Sequence, residues 1–228
     1  MTDPPRRAGF AVEALPAGEE ALLLEVADLD AVFRLETVLR AAVARGHPPW
    51  VTVTDVVPAA RTVLLLTREG ADLAALRRAV EALAATGVMA PAAPDIPTPP
   101  QEVVLTVRYD GPDLEDVAGI TGLTPAEVVA AHTRMPWRVA FGGFAPGFAY
   151  LVGGDPRLRV PRRHRPRASV PAGSVGLAGE YSGVYPRSSP GGWQLLGTTD
   201  AVLWDVERDP PALLPPGTVV RFVEAGPA

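Results

Sequence analysis

Residues 141–200 constrain the fold more than any other part of the chain. This stretch holds 12 of the 22 glycines and 7 of the 26 prolines, together with a dense group of arginines and several aromatic residues. Glycine permits backbone conformations that other residues resist, and proline fixes φ and removes a hydrogen-bond donor. The composition therefore predicts shaped loops held on short strands, where binding and catalytic residues tend to lie.

The absence of two residue types excludes several kinds of chemistry. The 228 residues include no cysteine, which excludes disulfides, thiolate metal sites and cysteine nucleophiles. They also include no lysine, which excludes a Schiff base, a P-loop lysine and a biotinylated lysine on this chain. The net charge of −5 argues against nucleic-acid binding, because that function depends on broad basic surfaces.

The sequence gives no indication of a membrane or export signal. It contains no run of about 18 apolar residues, the minimum for a transmembrane helix, and residues 1–20 lack the apolar core of a signal peptide. We therefore expect a cytoplasmic protein without a membrane segment.

A proline-rich stretch predicts the domain organisation. Residues 89–101 contain five prolines in 13 positions, which favours an extended and semi-rigid connector. We predict an N-terminal α/β domain at 1–90, a linker at 91–101 and a second domain at 102–228.

The N-terminal part has the pattern of a small sheet backed by two helices. Strand patterns at 10–15, 21–27, 50–57 and 61–67 alternate with helical patterns at 30–45 and 72–85. Asp30 is a candidate N-cap of the first helix, and Gly46 and Gly87 follow the two helices. The predicted order is ββαββα, without a recognisable active-site motif.

The C-terminal part predicts many short strands, which are typical of a barrel or sandwich. Strand patterns lie at 102–108, 137–141, 174–178, 193–196, 201–205 and 219–223. A short helix is expected at 113–118. The sequence Thr124-Pro125-Ala126-Glu127 is a capping box that starts a helix reaching to about His132. The predicted fold class is thus α+β, an α/β domain followed by a β-barrel domain.

Residues 143–151 and the arginine-rich loop at 157–167 are the first candidates for a binding site. The former combines glycine turns with flat apolar rings, which suit either ligand binding or a hydrophobic plug at one end of a barrel. The latter holds six arginines, whose forked guanidinium groups match carboxylate and phosphate. Most of the six are expected to be solvated, and a preceding proline favours Arg162 and Arg167. The candidates here are Phe144, Pro146, Phe148, Tyr150, Arg162 and Arg167.

Small-residue turns further along supply the other candidates. Free backbone N–H groups in turns at 171–176 and 188–193 can bind an anion, and Glu180 is either a base or ligand or an exposed turn residue. His132 is expected to cap its helix, and the three histidines lack the spacing of metal ligands, so no metal site is predicted. The remaining candidates for lining a barrel pocket are Ser174, Glu180, Tyr185, Ser189, Trp193 and Gln194.

These motifs together resemble the carboxyltransferase-domain C/D family, also called allophanate hydrolase subunit 1. The resemblance covers nearly the whole chain, and the joint motif is long and specific. The matching positions include Gly143-Phe144, Pro146-Gly147-Phe148, Tyr150-Leu151, Pro161-Arg162, Pro166-Arg167, Val170-Pro171-Ala172-Gly173-Ser174-Val175, Tyr185-Pro186, Ser189-Pro190-Gly191-Gly192-Trp193 and Leu196-Gly197.

The resemblance implies a cyclophilin-like β-barrel and a function that needs partners. Members such as the B subunit of 5-oxoprolinase act with the C-like protein of that enzyme (subunit 2) and with its A-like protein to open 5-oxoproline to glutamate with ATP. The resemblance does not imply which of these proteins binds ATP. Two alternatives remain open: a KipI-like inhibitor of a histidine kinase, or a carboxyltransferase half-domain of the urea-carboxylase type. In the last case biotin must arrive on another chain.

The chain departs from the family pattern at three places. Thr198-Thr199-Asp200 stands where Arg-Thr-Pro is usual, Ala149 where proline is usual, and Ala60 where tyrosine is usual. The loss of an arginine at Thr198 is expected to remove an anion contact.

Overall fold

The structure is a computed structural model that describes residues 11–85 and 101–226. The chain divides into two compact units, Met1–Pro97 and Thr98–Ala228. Nearly all of the predicted linker at 91–101, and the predicted helix end at Gly87, lie outside the described residues. The exact domain boundaries therefore stay a prediction.

The first unit has the predicted ββαββα order. The elements are β1 (Glu13–Pro16), β2 (Ala21–Glu25), α1 (Leu29–Ala44), β3 (Val53–Pro58), β4 (Thr62–Thr67) and α2 (Leu73–Ala85), with a 3₁₀ turn at Trp50–Thr52. The four strands form an antiparallel sheet in the order β1-β2-β4-β3.

The core of this unit lies between the sheet and the helices. Leu24 and Leu65 on the strands pack with Leu35 and Leu39 of α1 and Leu76 of α2, and all five are fully buried. Alternation along the strands and the helical spacing of the leucines place these side chains on facing surfaces.

The predicted cap of α1 is wrong by two residues. The carboxylate of Asp28 accepts a hydrogen bond from the Ala31 N–H at 2.8 Å, whereas Asp30 lies within the first turn. The helix begins at Leu29, so the preceding extended residue is the one placed to cap it. Gly46 follows the helix end with a φ of 68°, as predicted.

The second unit contains nine strands and two α-helices among its described residues. The strands are β5 (Glu102–Val107), β6 (Trp137–Gly142), β7 (Ala149–Gly153), β8 (Arg167–Val170), β9 (Ser174–Ala178), β10 (Tyr181–Val184), β11 (Ser189–Gly191), β12 (Gln194–Thr198) and β13 (Val219–Glu224), and the helices are α3 (Leu114–Thr121) and α4 (Pro125–Arg134). A single 3₁₀ turn spans Pro156–Leu158.

Seven strands form a nearly closed barrel, which confirms the predicted fold class. Their order is β12-β9-β10-β7-β6-β13-β5, and β8 and β11 form a separate two-stranded ribbon. The two edges of the large sheet approach each other where Arg108 and Thr198 exchange backbone hydrogen bonds of 2.8 Å in both directions. This pair joins the residue after β5 to the end of β12.

One predicted strand is absent. Residues 201–205 contribute only an isolated bridge between Trp204 and Ala212. Leu203 enters the core, while Val202 and Trp204 remain 59% and 40% exposed. The apolar alternation there belongs to a loop that Leu203 anchors to the core. It does not belong to a strand that pairs with a neighbour in the sheet.

The predicted capping box of α4 is present. The Thr124 hydroxyl accepts from the Glu127 N–H, and the Glu127 carboxylate accepts from the Thr124 N–H at 2.8 Å. These reciprocal bonds satisfy two N–H groups that a helix start leaves unpaired.

The prediction that His132 caps a helix is wrong. Its ring is fully buried in the barrel core, where Nδ1 lies 2.7 Å from the Tyr109 hydroxyl and Nε2 lies 2.9 Å from Ser182 Oγ. The ring also stacks near Phe222, with centroids 4.3 Å apart. Burial lowers the pKa of His132 from 6.5 to about 3, so the imidazole is neutral in the folded protein near pH 7.

A buried carboxylate joins the barrel to the arginine loop, which we define as residues 157–167. Asp113 is 1% exposed. Its Oδ2 accepts from the Leu195 N–H at 2.7 Å, and its Oδ1 accepts from Arg167 Nη2 at 2.7 Å and from Arg163 Nη1. One side chain thus fixes the loop to strand β12. Because a buried charge is tolerated only when it is paired, the Asp113 anchor and the loop depend on each other.

The helices of the described residues are all too short or too polar to cross a bilayer.

We predict that His132 makes the second unit acid-sensitive. The unfolded chain binds a proton at His132 as the pH falls below about 6.5, whereas the folded chain resists protonation until about pH 3. The free energy of unfolding should therefore decrease as the pH is lowered from about 6.5 to about 3. Substitution His132→Gln should lower stability at pH 7 and flatten this dependence, as measured by urea unfolding followed by tryptophan fluorescence. Equal pH slopes for the two proteins would contradict the assignment.

The Asp113 anchor generates a second prediction. Asp113→Asn leaves two half-buried guanidinium groups without their carboxylate, and removing one partner of a buried ion pair costs about 3–5 kcal/mol. The matched control is Asp116→Asn, whose carboxylate is 65% exposed and lies 3.7 Å from Arg163. It should change the free energy of unfolding by less than about 1 kcal/mol. If both variants lose the same stability in urea unfolding, the anchor role is excluded.

Candidate functional site

An aromatic cavity of about 340 Å³ is the candidate site of the second unit. Its volume lies within the range of about 300–1,000 Å³ typical of small-molecule pockets. It is lined by Phe144, Phe148, Tyr150, Arg162, Pro166, Tyr185, Pro190, Gly191, Gly192 and Trp193.

The cavity lies on the face of the sheet opposite the main core. Leu151 and Val184 point into the main core, whereas Phe148, Tyr150 and Tyr185 belong to a separate aromatic cluster. Successive side chains of a strand point to opposite faces. The same strands therefore supply an aliphatic interior and an aromatic outer wall.

Phe148 is the centre of the aromatic wall. Its ring meets those of Tyr150, Tyr185 and Trp193 edge to face, with centroid separations of 5.0, 5.5 and 5.4 Å. A Cβ at Gly183 would lie 3.1 Å from both the Phe148 and Trp193 rings, so glycine at this position gives the rings room. Edge-to-face contacts of this kind hold ring positions beyond what burial alone provides.

Phe144 is held in a strained turn at the cavity mouth. Its φ is +64°, and no other described non-glycine residue has a positive φ. The Ala145 N–H donates to the Gly143 carbonyl at 2.7 Å, which is the hydrogen bond of a γ-turn centred on Phe144. Gly147 lies so close to Trp204 that a Cβ would be 2.8 Å from the Trp204 Cβ. The turn thus fixes an exposed ring, 58% accessible, beside the cavity.

Arg162 brings positive charge to the cavity. Burial raises the pKa of Tyr185, and a backbone hydrogen bond with Trp193 and the charge of Arg162 oppose that rise. The Tyr185 hydroxyl is therefore protonated near neutral pH and is suited to hydrogen bonding. It is not suited to acting as a base.

Other arginines of the loop are occupied by carboxylates. The Asp155 side chain is 3% exposed and accepts hydrogen bonds from Arg157 at 2.6 and 3.0 Å. Hydrogen bonds from Arg157, with the charges of Arg157 and Arg134, lower the pKa of Asp155 to about 2. This pair positions the start of the loop and is unavailable to a ligand.

Half of the residues predicted from the sequence meet at the aromatic cavity. They are Phe144, Phe148, Tyr150, Arg162, Tyr185 and Trp193. Four further lining residues, absent from that prediction, are Pro166, Pro190, Gly191 and Gly192.

Three of the other candidates lie elsewhere. Ser174 is buried at the start of β9, and its carbonyl accepts from the Tyr185 N–H at 2.9 Å. Glu180 occupies the turn between β9 and β10, 3.6 Å from Arg159 and 47% exposed. Ser189 begins the short strand β11.

The remaining three support the site without lining it. Pro146 is an exposed residue of the turn that carries Phe144. Arg167 is bound to Asp113. Gln194 Nε2 donates to the Pro161 carbonyl at 3.2 Å, which ties β12 to the arginine loop.

Asp113 is the functional support that the sequence did not indicate. It precedes a short helix, and its partners Leu195 and Arg167 are 82 and 54 residues away. Such long-range pairing has no local sequence signal. Metal ligation has no support in the described part of the chain, where no group of three or more His, Asp or Glu residues surrounds a common point.

Comparison with known proteins places most of the chain in one family. Residues 12–214 match the family described as "Carboxyltransferase domain, subdomain C and D". The match includes every residue of the aromatic cavity.

Named relatives and solved structures agree with this match. The chain is 52% identical over 113 residues to the B subunit of 5-oxoprolinase from Bacillus subtilis, a region that covers 50% of this chain and 47% of the relative. It therefore spans about half the length of the curated relatives it matches. The crystal structure of TTHA0988 is 36% identical, with a TM-score of 0.70, and the alignment covers 91% of this chain and 40% of that one.

A more distant structure shows the same fold. The Kluyveromyces lactis urea amidolyase is 20% identical with a TM-score of 0.74, covering 97% of this chain and 15% of that one. The resemblance inferred from the sequence motifs is therefore confirmed, and the chain belongs to the carboxyltransferase domain, subdomain C and D, family.

Proposed function

We propose that this chain is the B subunit of an ATP-dependent 5-oxoprolinase and acts only with partner subunits. The proposal is supported by three curated relatives that carry the name of the 5-oxoprolinase B subunit, which are 46–52% identical over about half of this chain. The reaction opens the lactam C–N bond of 5-oxoproline with water to give glutamate, driven by hydrolysis of ATP to ADP and phosphate.

The composition of the aromatic cavity supports the proposal that this chain acts only with partner subunits. Its lining consists of aromatic residues, prolines, glycines and Arg162. The lining includes no Asp, Glu, His, Ser or Thr, so Tyr150 and Tyr185 are its only residues with a hydroxyl that could take part in proton transfer. Such a surface binds and orients a small molecule, and the bond-breaking groups have to come from another chain.

We assign the partners and the nucleotide accordingly. Two proteins, one like the C subunit of 5-oxoprolinase and one like its A subunit, complete the assembly, and ATP is bound by one of them. The present chain has no lysine, and four arginines of the loop are already paired with carboxylates. Of the arginines in the loop, Arg162 alone lines the cavity, which is fewer cations than a triphosphate normally needs.

Reconstitution tests this proposal. The chain should be co-expressed with candidate C-like and A-like proteins, and ATP hydrolysis measured with and without 5-oxoproline. We expect 5-oxoproline-dependent release of phosphate and glutamate by the complex, and none by the chain alone.

Two controls separate the proposal from its alternatives. Activity that requires bicarbonate and a biotin carrier, with no response to 5-oxoproline, would identify a carboxyltransferase of the urea-carboxylase type. Recovery of a histidine kinase in place of the paired proteins would identify a kinase inhibitor. Either result, or an assembled but inactive complex, would refute the 5-oxoprolinase proposal.

A further inference from the structure

We propose that the aromatic cavity binds a small planar ring bearing a single carboxylate, with the ring against the exposed face of Phe144 and the carboxylate on Arg162. The identification of that ligand as 5-oxoproline rests on the proposed function. The class of ligand rests on the geometry of the cavity.

Charge pairing singles out Arg162 within the arginine loop. Four of the six arginines pair with carboxylates, whereas Arg162 and Arg165 have no hydrogen bond or ion pair with any described residue. Of these two, only Arg162 lines the cavity. The four paired contacts are Arg157 with Asp155, Arg159 with Glu180, and Arg163 and Arg167 with Asp113.

The backbone on both sides of Arg162 is anchored. The Pro161 carbonyl accepts from Gln194 Nε2 at 3.2 Å, and the Arg163 N–H donates to the Gly192 carbonyl at 2.8 Å. Gly192 itself lines the cavity. The free guanidinium is therefore carried on a fixed piece of backbone, which reduces the ordering cost of binding an anion.

The apolar wall suits a flat ring. Phe148, Tyr185 and Trp193 are 2–3% exposed and meet edge to face, so they form a rigid support whose own surface is largely covered. Phe144 adds a ring that is 58% exposed in a strained backbone conformation. Strain and exposed apolar surface together point to a ligand contact.

The balance of charge favours a monocarboxylate over a nucleotide. A triphosphate is normally held by several cations and a metal ion. The cavity offers one unpaired guanidinium, and the described residues hold no cluster of three or more acidic or imidazole groups for a metal. A single carboxylate matches a single guanidinium fork.

Binding to the intact chain tests the assignment through paired changes in protein and ligand. Calorimetry or NMR titration would compare 5-oxoproline with 2-pyrrolidinone, the same lactam ring without its carboxylate. We expect Arg162→Gln to weaken 5-oxoproline binding by about tenfold or more, and loss of the ligand carboxylate to weaken it by a similar factor. Because both changes remove one interaction, they should not add, and Arg162→Gln should leave 2-pyrrolidinone binding unchanged.

Arg165→Gln is the matched control. This substitution also removes one positive charge, but from a side chain that does not line the cavity and lies three residues after Arg162. The Arg165→Gln variant should bind 5-oxoproline as the wild type does. Equal weakening by the two substitutions would overturn the proposal, as would Arg162-dependent binding of ATP in place of 5-oxoproline.

The assembled complex separates this inference from the proposed function. Arg162→Gln should raise the KM for 5-oxoproline in the complex about tenfold or more and leave the KM for ATP unchanged. An active complex whose 5-oxoproline KM does not respond overturns the ring-carboxylate site and leaves the proposed function standing. If the chain binds 5-oxoproline through Arg162 but the assembled complex is inactive, the proposed function is overturned and the ring-carboxylate site stands.

Discussion

The buried carboxylate of Asp113 is the interaction on which the candidate site depends. Taking a carboxylate out of water is costly, and the cost is offset only when its oxygens are fully paired. Asp113 meets this condition with one backbone N–H on β12 and two arginines of the loop. The bonds therefore fix the loop against the barrel. They also remove two of its positive charges from reach of a ligand, so that Arg162 is left as the free cation at the cavity.

The second constraint is that one sheet packs against the main core on one face and forms the aromatic cavity on the other. Strands β7, β9 and β10 bury aliphatic side chains such as Leu151, Leu177 and Val184 on one face, and the aromatic cluster lies on the other. A cavity built in this way is separated from the main core by the thickness of the sheet. Substitutions among the cavity-lining residues at its mouth are therefore expected to affect binding more than folding, whereas the Asp113 anchor couples the two.

Local patterns in the sequence predicted most of the elements but fewer of the site contacts. Helical spacing and the Thr124–Glu127 capping box act over a few residues, so α1, α2 and α4 were predictable. The strands β7, β8, β10 and β11 were missed because they are only three to five residues long and contain or adjoin glycine and proline. The roles of His132 and Asp113 were not predicted because their partners are distant in sequence, 23 residues away for Tyr109 and 50 or more for the others. Those roles exist only once the barrel has formed.

The departure from the family pattern at residues 198–200 lies at the barrel seam, the place where Arg108 and Thr198 join the two edges of the large sheet. It does not lie at the aromatic cavity. Thr198 exchanges backbone hydrogen bonds with Arg108, and its hydroxyl donates to Asp110 at 3.1 Å. Asp200 accepts two hydrogen bonds from the Arg108 guanidinium, at 2.9 and 3.1 Å.

In this chain the seam therefore has its arginine at position 108 and the matching carboxylate at 200. The expectation that Thr198 costs the site an anion contact finds no support in this geometry, since neither Thr198 nor Asp200 lines the cavity. The pair instead closes the sheet with a charged contact between side chains that are 53% and 83% exposed. Because such an exposed pair is worth little energy, the closure depends on the two backbone hydrogen bonds, and ligand recognition is left to Arg162 and the aromatic wall.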